Sequence, residues 1–333
     1  MLNFSNTAYK EKALSTQMNP ENIHSSVDAI LLLIKGVAYD DLSNLCELMK
    51  EHYASLPNPI ELSLEDCYKL TQNDNLSEIE KNTIAELISK CIKSGKTLGN
   101  KTIMDGKINT SSWISHCFYS GEVCASLANQ LGLDSDKART MGILHDYGRK
   151  FDHSFGHTIG GFEKLTDLGW DNEAIGCLTH SFVNGGRCSN NEPALDGFYL
   201  DKYGNANWKS DVPKDDMGLF LDNYAYSDYD ILLNIADLMA TDKGIVSPKV
   251  RIEDIATRRV FIDPTNRGYF LSDITNTFID ILKRLNMLPE NIVHIKDDEN
   301  TSLEQIENYF NEVSTYFFGV FTNFPNIDKQ NTK

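Results

Sequence analysis

The chain has 333 residues, 41% hydrophobic and 24% charged, enough for a sizeable core in one large domain or two modest ones. Its net charge of -17 speaks against a protein whose main task is gripping nucleic acid, since backbone binding needs clustered Lys and Arg. That charge still leaves room for a small phosphorylated substrate, because a bound cation can reverse the local field of an acidic protein.

Residues 1 to about 100 read as helical, with no obvious chemistry. Met1 to Gln17 shows no apolar core behind a basic start, so no signal peptide is read there. Ser26 caps the run Val27–Ile34, whose apolar stretch from Ala29 is far too short to span a bilayer. No membrane partner is therefore expected. Tyr39–Tyr53 places Leu42, Leu45, Leu48 and Met49 at helical spacing. Two further helix starts follow at Leu62 and Asn75, beyond the breaker Leu56–Ile60.

The pattern loosens over Lys96–Thr110, where Gly99 and Gly106 join Asn, Lys and Thr. That places a boundary between an N-terminal helical region, 1–104, and a domain over 105–290. Residues 291–333 are read as a C-terminal helical extension. Trp113–Leu131 carries Ile114, Cys117, Phe118, Val123, Cys124 and Leu127 on one face, with Gly132 as a stop. Asp134 opens the next helix, which runs to Leu144. His157–Leu168 and Asn172–Ser181 are two short helices separated by Gly169.

Asn184–Asp228 is rich in Asn, Gly, Asp and Pro and reads as a long loop with room for a short helix or hairpin. Its aromatic residues Phe198, Tyr199, Tyr203 and Trp208 suit either packing onto the body or stacking on a base. Tyr229–Thr241 is a strongly apolar helix, and Leu271–Leu288 and Ser302–Phe321 are two more. The best strand signal is the short Asn291–Ile295. The fold class is therefore all-α.

Seven cysteines (Cys46, Cys67, Cys91, Cys117, Cys124, Cys177 and Cys188) form no CxxC, and their number is odd. Cys117, Cys124 and Cys177 fall in apolar helical patterns as small buried hydrophobes. This fits a reducing cytoplasm better than a disulfide framework.

Histidine and aspartate carry the chemistry. His116, the pair His145-Asp146, His157 and His180 occur in that order on or beside helices, and Asp237 follows inside an apolar helix. Imidazole and carboxylate together suit divalent iron, manganese, cobalt or zinc, and ligands from separate helices are how a bundle builds a metal centre. A charged Asp237 between Ala236 and Leu238 is costly to bury unless paired or metal-bound. Each histidine alone fits a bland role: His116 packing, His157 starting a helix, His180 ending one. Together they do not. His153 reads as a loop residue nearby, and His24, His52 and His294 as surface or packing residues.

This arrangement resembles the HD superfamily of metal-dependent phosphohydrolases. The matching residues are His116 in Trp113-Ile-Ser-His, His145-Asp146 in Leu144-His-Asp-Tyr-Gly-Arg-Lys, and Asp237 in Ile235-Ala-Asp-Leu. His157 and His180 extend it to the binuclear subset, similar to symmetrical diadenosine tetraphosphate hydrolases and small bacterial HD-domain proteins. The resemblance covers about residues 105 to 285. It implies an HD-domain helical bundle and two divalent ions. His116, His145, Asp146 and Asp237 would hold one ion, with Asp146 bridging to a second on His157 and His180. It also implies hydrolysis of a phosphoester or phosphoanhydride, in a small nucleotide-type substrate, by a metal-activated water. Asp146 and Asp237 would orient that water, while Arg149 and Lys150 act on the phosphate. Arg187, in Asn184-Gly-Gly-Arg, is a further substrate-binding candidate. The alternatives are an HD-type di-iron oxygenase and a non-catalytic signalling or interaction protein.

Overall fold

The apolar stripe beginning at Trp113 forms the spine of the molecule. A computed structural model of the chain describes residues 3–34, 110–151, 156–182, 198–200, 206–208, 216–241, 244–258, 264–296 and 300–323. Within them the fold is all-α. The helices are α1 (Thr7–Ser15), α2 (Ser26–Ile34), α3 (Thr110–Leu131), α4 (Ser135–Leu144), α5 (His157–Asp167), α6 (Asp171–Thr179), α7 (Asp216–Asn223), α8 (Asp228–Asp237), α9 (Pro248–Arg258), α10 (Pro264–Arg284) and α11 (Leu303–Asn323). Sheet is confined to two antiparallel pairs: β1 (Phe198–Leu200) with β2 (Ala206–Trp208), and β3 (Ala240–Thr241) with β4 (Gly244–Ile245). No helix among the described residues is long and apolar enough to cross a membrane.

α3 ends where Gly132 adopts a left-handed conformation, and Asp134 then caps α4 by accepting from the Asp136 and Lys137 N–H groups. α4 folds back along α3 at very short range. A Cβ on Gly142 would lie 2.6 Å from the Gly121 Cα, so only two glycines permit this crossing. α8 and the β3–β4 hairpin pack on α3 as well. One core gathers Phe118, Phe162, Ile175 and Phe220. A second gathers Leu127, Met141, Leu233 and Ile274, with Phe278 stacked on Phe317 of α11.

Residues 3–34 lie against the first core. Phe4 meets Phe162 at 5.4 Å between ring centroids, and Ala29, Ile30 and Leu33 of α2 are buried against the same cluster. His24 stacks on Trp170 at 3.9 Å, with Nδ1 3.0 Å from Glu173 Oε1, while His294 faces Asp280 at the surface. Both fit packing or surface roles. His52, His153, the helices read between Tyr39 and Asn75, and the boundary at 104 lie outside the described residues. Cys117, Cys124 and Cys177 are buried free thiols.

Several elements differ from the sequence reading. The long loop, read as having room for a short helix or hairpin, holds both, the β1–β2 pair and α7. The helix read to Thr241 stops at Asp237, because Met239 and Val246 instead bond across the β3–β4 turn. α9 was not foreseen, although Ser247-Pro248 is a helix-start signal, with the Ser247 hydroxyl accepting from the Val250 N–H. α10 begins seven residues before Leu271 and closes at Asn286, whose φ is 56°. Asn291–Ile295 forms no strand, because side chains take up its backbone groups. Asn276 binds both the N–H and the carbonyl of Ile295, and the Tyr309 hydroxyl does the same for Val293.

Candidate metal centre

His145 follows the last residue of α4 and keeps helical angles, donating its N–H to the Met141 carbonyl. Asp146 then departs to φ -99°, ψ 16° and opens a 3-10 turn, Tyr147–Lys150. Adjacent residues within a helix point about 100° apart. The break at Asp146 lets both side chains face one cluster. His116 comes from the second turn of α3, His157 is the first residue of α5, His180 follows the last residue of α6, and Asp237 ends α8.

These elements converge on two groups of donors that share Asp146. In one, the Nε2 atoms of His116 and His145 are 3.2 Å apart, with Asp146 Oδ2 3.9 and 3.7 Å from them. Asp237 Oδ1 joins this group, 3.0 Å from His116 Nε2 and 3.9 Å from His145 Nε2. In the other, His157 and His180 Nε2 are 3.3 Å apart and lie 3.0 and 3.4 Å from Asp146 Oδ1. The Asp146 side chain is only 3% exposed, against 22% for Asp237.

Outer contacts fix the rings. His145 Nδ1–H donates to the Gly142 carbonyl at 2.7 Å, and His180 Nδ1–H to the Cys177 carbonyl at 2.9 Å. A carbonyl accepts only from a protonated nitrogen, so in the neutral tautomer each ring turns the Nε2 lone pair toward the cluster. Burial lowers His145 to about 3, keeping it neutral despite the nearby Asp146. Burial alone would raise Asp146, but the Arg149 guanidinium at its Oδ2 holds it well below the usual carboxylate range. For Asp237, burial is likewise outweighed, by the His116 hydrogen bond and by the Arg251 guanidinium beside it. A neutral His145 beside ionised carboxylates is the state that a divalent cation requires.

The fit to a metal is tested by what is unsatisfied. Among the described residues, Asp146 Oδ1 meets no aligned hydrogen-bond donor, although it is buried between two histidine rings. Facing ring nitrogens at 3.2 and 3.3 Å lose repulsion only if a cation or proton lies between them. His116, His145 and Asp146, and again Asp146, His157 and His180, have donor atoms close enough to hold an ion. The residues fit.

The cationic side chains separate. Arg149 Nε donates to Asp146 Oδ2 at 2.5 Å. Lys150 turns away, donating to the Leu32 carbonyl of α2 at 3.2 Å and lying over the Tyr147 ring. It is not brought to the donor cluster. Arg187 lies outside the described residues, as do the side chains of Phe198, Tyr199, Tyr203 and Trp208. Two residues at the cluster were missed by sequence reasoning. Arg251 of α9 donates from Nε to the Asp237 carbonyl at 3.2 Å and places Nη2 3.5 Å from Asp237 Oδ1. Asn234 donates to the Thr179 and His180 carbonyls. Arg251 carried no signal, being fourteen residues from Asp237 in a helix that was not foreseen.

Residues 113–182 match the family model of the HD domain. The match contains His116, His145, Asp146, His157 and His180, while Asp237 lies beyond its end and joins the cluster only through the fold. Comparison with curated proteins and with solved structures gave no match.

Proposed function

We propose that the chain is a metal-dependent phosphohydrolase, cleaving a phosphoester or phosphoanhydride of a nucleotide-type substrate with a metal-activated water. One observation carries the reading: two buried donor groups share the carboxylate of Asp146. The HD-domain match over 113–182 supports the reaction class. The nucleotide class rests on the likeness of the donor order to binuclear members such as symmetrical diadenosine tetraphosphate hydrolases.

His116, His145, Asp146 and Asp237 would hold one ion, and Asp146, His157 and His180 a second. Bound there, divalent ions would activate water and offset charge on the phosphate oxygens. The chain's own groups supply the rest. Asp146 is kept ionised by Arg149, whose guanidinium has further N–H donors for a phosphate oxygen. Asp237, the more exposed carboxylate, accepts a hydrogen bond from the attacking water and orients it. Arg251 adds a second guanidinium beside Asp237. The contact with Asp146 favours Arg149 over Lys150 for the phosphate.

Metal analysis of the purified chain, followed by hydrolysis assays over nucleotides, dinucleoside polyphosphates, cyclic dinucleotides and alarmones, tests the reading. Asp146→Ala is expected to lose both metal and turnover; full metal content with unchanged turnover in that variant refutes the proposal. Oxygen uptake on mixed-valent iron without phosphate release points to the di-iron oxygenase. Neither activity in metal-loaded protein points to a non-catalytic role.

A further inference from the structure

Asn234 lies on α8, three residues before Asp237, and is 1% exposed. Its amide has two N–H hydrogens. Nδ2 donates to the carbonyls of Thr179 and His180, each at 2.8 Å. These carbonyls belong to the end of α6; that of Thr179 also accepts from the Phe182 N–H at 3.1 Å and the Tyr226 hydroxyl at 3.3 Å. His180 is thus gripped twice, at its ring through the Cys177 carbonyl and at its main chain through Asn234. One turn earlier, Asp230 accepts from the Thr179 hydroxyl at 2.7 Å. Asp230, Asn234 and Asp237 follow i, i+4, i+7 spacing, so one stripe of α8 meets both the end of α6 and the donor cluster.

We propose that Asn234 is a positioning residue for the second ion. It fixes His180 against Asp146 while its own helix presents Asp237 to the first ion, so a single helix stripe keeps the two donor groups in register. The inference rests on the two-ion reading above. A plain helix cap would share the hydrogen bonds but would have no selective effect on one ion.

Cobalt(II) titration of the metal-stripped full chain, followed by visible absorption, separates these roles. Wild type is expected to take up two equivalents. In Asn234→Ala the first equivalent binds with nearly unchanged affinity, and the second weakens about 10–100-fold, with loss of its share of the d–d absorption. Asn234→Ser returns one donor and is expected to be intermediate; it also serves if the alanine variant does not fold. Asp230→Asn loosens the same contact between α6 and α8 without touching either carbonyl, and is expected to retain both equivalents. Unchanged second-ion affinity in the Asn234 variants, or an equal loss in Asp230→Asn, overturns the proposal. A wild-type chain that takes up fewer than two equivalents overturns the two-ion reading, and the proposal with it.

Discussion

Gly148 has no side chain where a side chain would collide with the second donor group. A Cβ there would lie 1.9 Å from the His157 carbonyl oxygen and 2.6 Å from the Gly161 nitrogen. Both are backbone atoms, which cannot swing aside as a flexible side chain does. Gly148→Ala must therefore part the 3-10 turn from α5 and move Asp146 away from His157. The expected result is a stability loss of about 3 kcal/mol in urea unfolding, together with a lower metal content. A variant with wild-type metal content and midpoint would contradict the close approach. The six donors themselves were legible, because their residue types and order survive in one dimension. The direction of Lys150 was not. Consecutive residues of a 3-10 turn point about 120° apart, so Arg149 and Lys150 look equivalent in sequence yet face different partners in space.

Within α10, Asp273 is a carboxyl that the helix buries without a complete set of partners. It is 5% exposed, and its Oδ1 meets no donor among the described residues. Burial pushes its pKa from 3.8 up to about 8. The folded chain therefore holds a proton that the unfolded chain releases above pH 4. Stability from this group falls as pH rises between those two values and levels off beyond the upper one. At pH 7 the gap amounts to about 4 kcal/mol on the scale of roughly 1.4 kcal/mol per unit. Asp273→Asn should unfold at higher urea than wild type at pH 8, and the advantage should shrink toward pH 5. Parallel pH profiles for the two proteins would sink the idea. Elements of this kind were largely legible from apolar spacing, as in α3 and α11. Their ends were less so. The apolar run continues through Leu238, Met239 and Ala240, yet the chain leaves the helix at Asp237 because tertiary pairing with Val246 wins over local pattern.

Across the whole molecule, the candidate metal cluster depends on the same residues that build the fold. The donors run from His116 to Asp237 and come from five separate elements, so the complete cluster exists only when the fold does. Contacts that complete that fold, such as Phe4 on Phe162 and Lys12 on Asp171, join positions more than 150 residues apart and leave no sequence signature. The exposed ion pair adds little, whereas Phe4→Ala should cost about 2–4 kcal/mol in urea unfolding. Unchanged stability would mean that residues 3–34 lie loosely on the core. An ion that binds only the folded chain stabilises it by about 2.7 kcal/mol per site at a hundred times its dissociation constant. Removing metal with a chelator should therefore lower the urea midpoint, and restoring manganese should raise it in a concentration-dependent way. Asp146→Ala takes away the residue common to both groups, so its midpoint should not respond to metal. His180→Ala affects only one group and should keep part of the response. A wild-type midpoint indifferent to manganese would mean that the cluster holds no ion. Full response in Asp146→Ala would place the ion elsewhere.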